Sequence, residues 1–264
     1  MLRHKTNNTW LYCGDNVEFM KELPDNTFDL TVTSPPYDDL RNYNGYSFDF
    51  ENVAKELYRV TKDGGVVVWV VGDATVKGSE TGTSFRQALY FMQCGFNLHD
   101  TMIYEKNGAA YPAGKKSVRY SQVFEYMFVF SKGKPRVINL IKDKENKWAG
   151  ISTFGASSNR QNDGSIKSTG KREIGGVGYR NNIWKINNGK GFGGDEVEHP
   201  AVFPEQLAND HILSWSNEGD LIFDPFMGSN TTGKMALLNN RQFVGIDCSE
   251  EYVKISIDRI VQCT

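Results

Sequence analysis

Hydrophobic positions along this chain fall into two rhythms. Short apolar runs bounded by Gly, Pro, Asn and Asp predict buried strands over residues 10–13, 28–32, 66–71, 96–104, 123–130, 221–224 and 243–247. The run Val66-Val67-Val68-Trp69-Val70-Val71 is apolar at every position, as expected of a strand covered on both faces in a parallel sheet. Between the strands, the pattern predicts helices over 17–23, 53–60, 83–94, 205–215, 234–239 and 250–261. Alternating strands and helices predict an α/β fold with a mostly parallel sheet and helices on both faces. Residues 148–195 break the pattern. Gly, Ser, Asn and Lys dominate there, and Ile183-Trp184-Lys185-Ile186 is the single strand expected in it. The chain is therefore read as one α/β domain in two halves, 1–147 and 196–264, around an insert.

Chemistry concentrates where strands end. After the strand at 28–32 comes Ser34-Pro35-Pro36-Tyr37. Two prolines cannot continue a paired central strand, so the chain leaves the sheet there as a stiff loop rich in unpaired carbonyls. Ser34 adds a hydroxyl acceptor and Tyr37 a flat ring, a combination suited to holding a planar heterocycle by an exocyclic amine. An ordinary Pro-Pro turn is the plain alternative. The strand at 221–224 ends in Asp224, followed by Pro225-Phe226-Met227-Gly228-Ser229-Asn230-Thr231-Thr232-Gly233, a small-residue turn that enters a helix. The next strand ends in Asp247, placed to accept from ribose hydroxyls. The turn is not G-x-G-x-x-G, so a cofactor with a ribose and no phosphate fits it best. Asp15 also follows a strand, where it serves equally as a helix N-cap.

These two stretches together resemble the DNA amino-methyltransferases that use S-adenosylmethionine. That family pairs an (S/D/N)-P-P-(Y/F) loop with a D-P-F-x-G-S-G-T-T turn. Ser34–Tyr37 fits the first, and 224–232 fits the second except that Asn230 replaces a glycine. Asn tolerates positive φ, so the turn is expected to survive. The catalytic loop precedes the cofactor turn, the order of the β class. The resemblance implies a circularly permuted class I methyltransferase fold with a seven-stranded sheet and a small recognition insert at 148–195. It implies cofactor contacts from Asp15, His199, Phe203, Asp224, Phe226, Gly228, Ser229, Asn230, Thr231 and Asp247, with Ser34, Pro35, Pro36 and Tyr37 at the target amine. His199 read alone is more often structural. Ser rather than Asp at the head of the loop implies cytosine N4 as the target, with adenine N6 as the alternative. A base inside a duplex is out of reach, so it must be flipped out. A non-catalytic DNA-binding protein of the same fold, or an enzyme acting on RNA or a small molecule, are the rival readings.

The net charge of −2 offers no overall basic field, but the middle of the chain is basic. Residues 105–147 carry ten Lys/Arg against four acids, and 160–190 carry seven against two. Such a distribution suits phosphate binding, and it also suits solvated surface loops. Lys115, Lys116, Arg119, Arg160, Lys167, Lys171, Arg172 and Arg180 are the candidates for contact with double-stranded DNA. Two glycine-rich stretches are decoys. In 164–172 five residues separate the two glycines and Arg172, not Ser or Thr, follows Lys171, and Gly175-Gly176-Val177-Gly178 follows no strand. The four cysteines show no metal-ligand or disulfide spacing, so no metal is expected. No leader and no apolar run of about 18 residues is present, which predicts a cytoplasmic protein with no membrane partner. The resemblance leaves room for a homodimer and for a cognate restriction endonuclease in the same system.

Overall fold

The computed structural model describes residues 2–36, 48–108, 114–151, 158–168, 173–187 and 204–262. Tyr37, Lys171, Arg172, His199 and Phe203 lie outside them. Contacts divide the chain into two compact units, Met1–Asn139 with Asn182–Thr264, and Leu140–Asn181.

The first unit opens with β1 (Leu2–Lys5), β2 (Thr9–Cys13), α1 (Asn16–Lys21) and β3 (Phe28–Thr33). It continues through α2 (Phe50–Val60), β4 (Thr61–Val71), the hairpin β5 (Thr75–Val76) and β6 (Ser79–Glu80), α3 (Thr83–Gln93), β7 (Asn97–Lys106) and β8 (Phe124–Ser131). The second unit contributes β9 (Lys142–Glu145), β10 (Ser158–Arg160), β11 (Ile166–Ser168) and β12 (Val177–Tyr179). The first then resumes with β13 (Ile183–Ile186), α4 (Glu205–Trp215), β14 (Leu221–Asp224), α5 (Thr231–Leu238), β15 (Gln242–Asp247) and α6 (Glu250–Val261).

Nine strands form the main sheet in the order β1-β2-β15-β14-β3-β4-β8-β7-β13. The seven predicted strands are its core, and β1 and β13 add one strand at each edge. Every strand but β1 and β8 points the same way. The late strands β14 and β15 sit between the early strands β2 and β3, which is the permuted arrangement. β3 and β4 bury almost every apolar side chain because helices cover both faces. Side chains of α1, α2 and α3 pack on one face around Trp69, Phe28, Phe91, Phe130 and Phe223. Consecutive residues Phe243 and Val244 show the two layers. Val244 joins that cluster, while the Phe243 ring lies where a Cβ on Gly233 of α5 would meet it. Asp29, 5% exposed, ties three elements together. It accepts from Lys62 (2.8 Å), from the Leu221 amide at the start of β14 (2.9 Å) and from Arg136.

The second unit runs from Leu140 to Asn181, so it starts ahead of the expected 148. Ile183–Ile186 is not a strand of it. This segment pairs parallel with β7 in the main sheet, burying Trp184 and Ile186 while Ile183 and Lys185 face out. Residues 140–181 instead hold two antiparallel ribbons, β9 with β12 and β10 with β11. They are held by backbone pairing and the Asp143–Arg180 ion pair (2.9 Å) more than by apolar burial. Among the described residues no helix is long and apolar enough to cross a membrane.

Candidate active site

The neighbouring parallel strands β2, β15, β14 and β3 all end at one edge of the sheet, and each delivers a polar group there. β2 leads into Gly14-Asp15, β15 ends in Asp247, β14 in Asp224, and β3 leads into Ser34. Ligands in open α/β sheets bind outside the carboxyl ends of such strands. Backbone and side-chain bonds stitch the loops together. Gly14 N–H donates to the Asp247 carbonyl (3.0 Å), and Asn16 Nδ2 to the Pro225 carbonyl (3.0 Å).

Asp224 is 1% exposed. Its Oδ1 accepts from the Thr33 hydroxyl at 2.6 Å and from the Phe226 amide at 3.0 Å. Thr232 reaches back from α5 to the Val32 carbonyl at 3.1 Å. Burial raises the Asp224 carboxyl to about 7, against the pull of its bonds to Thr33, Phe226 and Thr232. Thr33 therefore joins the two loops, because the residue before Ser34 grips the acid at the end of β14. Asp247 is half-buried. It accepts from the Ser249 amide (2.9 Å) and the Gly228 amide (3.0 Å), and burial raises its carboxyl too. Phe226 is half-buried, edge-on to Phe48 at 5.3 Å and to Trp69 at 6.2 Å.

The turn between these acids depends on two local devices. Gly228 and Asn230 both have positive φ, +48° and +65°. Asn230 fills the family's glycine position, and its side chain caps α5 by accepting from the Gly233 amide (3.1 Å). Asn230→Ala loses the cap and strains the backbone, which together should cost about 2 kcal/mol of stability. Asn230→Gly keeps the conformation and should cost only a few tenths of a kcal/mol. Thermal unfolding of the two variants checks this; equal losses would mean the left-handed backbone is not the constraint. Beneath the turn, Arg259 is buried. It donates to the Ser229 carbonyl and Thr231 hydroxyl (3.1 Å each) and to Glu205 (2.6 Å), which also holds Lys234 at 2.9 Å.

Ser34, half-buried, and Pro35, buried, leave the sheet beside Asp224, with Pro36 half-exposed after them. Asp15 is exposed and caps α1 through the Glu18 amide (2.9 Å), so its capping role is realised. Of the basic candidates, Lys115, Lys116 and Arg119 belong to the first unit, where Arg119 donates to the Gly78 carbonyl of the β5–β6 hairpin. Arg160 and Lys167 are exposed on β10 and β11 of the second unit, and Arg180 is held by Asp143. Asn16 and Arg259 were not foreseen, and Thr33 and Thr232, which lie in or beside the two motif stretches, were given no role of their own. These roles exist only through partners far along the chain.

The deep Asp224 and the half-buried Asp247 beside a turn of backbone amides, both raised by desolvation, are carboxylates suited to a cationic group and to hydroxyl donors. Residues 28–258 match the family of DNA methylases of the N6 and N4 type. The chain is 60% identical over 246 residues to the orphan methyltransferase M.BamHII of Bacillus amyloliquefaciens, covering 91% of this chain and 92% of that one. It is 27% identical to the type II methyltransferase M.SmaI of Serratia marcescens, covering 94% and 89%. Among solved structures, the fold is shared with the cytosine-N4-specific PvuII DNA methyltransferase (TM-score 0.71, 22% identity, 97% and 87% covered). It is shared also with a putative DNA modification methylase of Thermus thermophilus complexed with S-adenosylmethionine (TM-score 0.63, 21% identity, 97% and 95% covered). The chain belongs to the N6/N4 DNA methylase family. It is a DNA amino-methyltransferase of the β class, with S-adenosylmethionine as its methyl donor.

Proposed function

We propose that this enzyme methylates the exocyclic N4 of cytosine in double-stranded DNA, on a base turned out of the helix. The observation that carries the reading is a neutral Ser34 at the head of the Pro-Pro loop, beside the cofactor acid. An exocyclic amine conjugated with its ring is a poor nucleophile. Acceptors at Ser34 Oγ and the Pro35 carbonyl take its N–H groups and favour a tetrahedral nitrogen whose lone pair points at the donor. Tyr37 is assigned to stack on the ring. When bound, S-adenosylmethionine supplies a methyl group on a good leaving group, so positioning is the main task left to the protein. Asp224 takes the methionyl ammonium and Asp247 the ribose, with Asp15, His199, Phe203, Phe226 and residues 228–231 completing the cofactor site. The cytosine-N4 specificity of the PvuII enzyme supports the same base here. Nucleoside analysis of DNA treated with the purified protein decides between N4-methylcytosine and N6-methyladenine; only the first agrees with this reading.

The second unit is assigned to DNA recognition, together with Lys115, Lys116 and Arg119. Its exposed Arg160 and Lys167, with Lys171 and Arg172, are assigned to phosphates; Arg180 is the weakest candidate because Asp143 already neutralises it. Replacing Arg160 and Lys167 by Ala should weaken binding to any duplex and flatten the slope of log K against log salt by roughly 1–2. An unchanged slope in filter-binding titrations would remove both from the interface. S-adenosylmethionine affinity should not move.

A further inference from the structure

The second unit differs from the rest of the chain in charge and in where it leaves its aromatic residues. Residues 140–181 carry eight Lys/Arg against four acids, a net +4, while the whole chain is −2 and the remainder therefore −6. In this basic unit Trp148 is 66% exposed. Trp69, Trp184 and Trp215 are buried, and Trp10 is half-buried. The exposed indole is not at the end of a loose loop. The Asn146 amide donates to the Gly176 carbonyl (3.0 Å), Ala149 to Asn146 (3.1 Å), Gly150 to Ile174 (2.9 Å) and Ile174 to Ile151 (3.1 Å). Asn146 Nδ2 adds a bond to the Gly175 carbonyl at 2.7 Å, and Gly150 has φ +77°. These bonds extend the β9–β12 ribbon to a fixed tip that carries Trp148 outward.

The ribbon that carries the indole also carries exposed lysines and further exposed apolar groups, with the acids Asp143, Glu145 and Glu173 among them. Lys144 and Lys147 both precede Trp148 in sequence. On β12, Val177 and Tyr179 are both more than half exposed, and Lys142 lies over the Tyr179 ring at 4.8 Å. A surface that mixes fixed aromatic rings with exposed lysines suits a polyanion that offers flat apolar faces between its charges, which is the chemistry of stacked bases on a phosphate backbone. Turning a nucleotide out of a duplex breaks stacking on both sides of it. A rigid ring inserted into the stack returns part of that loss.

We propose that Trp148 is the side chain this enzyme stacks into its DNA, against bases that lose their neighbours when the target nucleotide turns out, while the ribbon lysines hold the phosphates. This rests on the reading of the protein as a base-flipping DNA methyltransferase. The test uses the full-length protein with sinefungin and a short duplex bearing one site mapped on plasmid DNA methylated by the wild type. Trp148→Ala should raise the duplex Kd about 5- to 150-fold, and Trp148→Phe should recover most of the loss. No cation is removed, so the salt slope of binding should stay at the wild-type value. Indole emission should be quenched by the duplex in the wild type, and Trp148→Phe should lose the quenching. Equal affinity of Trp148→Ala and wild type, with methylation of the mapped site intact, overturns the role of Trp148 and leaves the function standing. A flattened salt slope means the unit has collapsed without its tryptophan, and overturns stacking as the cause. A wild-type dimer that Trp148→Ala turns into monomers by sedimentation assigns the ring to a second copy instead. Wild-type protein that methylates no plasmid sinks the functional reading itself.

Discussion

Ser34→Ala is expected to slow methyl transfer by roughly 30- to 1,000-fold while leaving S-adenosylmethionine affinity near the wild-type value. Ser34 directly follows Thr33, whose hydroxyl is locked on Asp224, so the Ser34 backbone is tied to the acid proposed for the cofactor. Its own side chain is the part assigned to the target amine. Losing one positioned hydrogen-bond partner in a water-poor site costs about 2–4 kcal/mol in the barrier, by analogy with oxyanion donors. The loss should fall on kcat, because the acceptor matters most as the nitrogen becomes tetrahedral. Thr33→Val is the matching control. It breaks the bond to Asp224 and leaves the Ser34 side chain, so its effect should appear in cofactor affinity. Single-turnover methylation at saturating DNA and cofactor, beside calorimetry of cofactor binding, separates the two. A Ser34→Ala rate within twofold of wild type would remove Ser34 from the chemistry.

The sequence made some elements plain and hid others for physical reasons. The helices over Glu205–Trp215 and Glu250–Val261 match the predicted limits because their starts are local. Pro204 sets the first, and Ser249 caps the second through the Tyr252 amide (3.4 Å). The acids at the ends of β14 and β15 were legible because a polar residue closing an apolar run has few other uses. Ile183–Ile186 was recognised as a strand and assigned to the wrong unit. Its alternation of buried and exposed positions is local, but its pairing with Ile103–Lys106 is set by a partner some eighty residues back. The ribbons of the second unit escaped notice because backbone pairing leaves no apolar period. Linear charge counts also overstated the basic field. Arg136 is bound to Asp29 and Arg180 to Asp143, and neither pairing can be read from neighbours in the chain.

Cofactor affinity should follow a bell in pH whose acid limb lies near pH 7, and Asp224 is the cause. Its carboxyl is raised to about 7 because it is buried, and among the described residues the groups that act on it are Thr33, the Phe226 amide, Thr232 and Asp247, none of them a cation. In the proposed site the methionyl ammonium would bind the ionised form. Below pH 7 the proton must leave first, so affinity should fall about tenfold per pH unit; on the alkaline side it should fall again as the cofactor's own α-amino group deprotonates near pH 8. At pH 6 binding should release close to one proton, measurable by calorimetry in buffers of different ionisation enthalpy. The same shift acts on the protein without cofactor, with the opposite sign. The folded pKa lies above the unfolded one, so the stability tied to this carboxyl is fully present below about pH 4 and is lost as pH rises to 7. Asp224→Asn removes that burden and can still accept from Thr33 and Phe226. At pH 8 it should therefore raise the unfolding free energy of the free protein by roughly 2–4 kcal/mol. It should also weaken cofactor binding by about 10- to 150-fold, the cost of losing a charged partner. A stabilised protein with a crippled cofactor site is what a buried acid kept for binding would leave behind. If Asp224→Asn binds the cofactor as tightly as wild type, or if wild-type affinity is flat between pH 5 and 7, the ammonium has another partner and the neighbouring Asp247 becomes the first candidate.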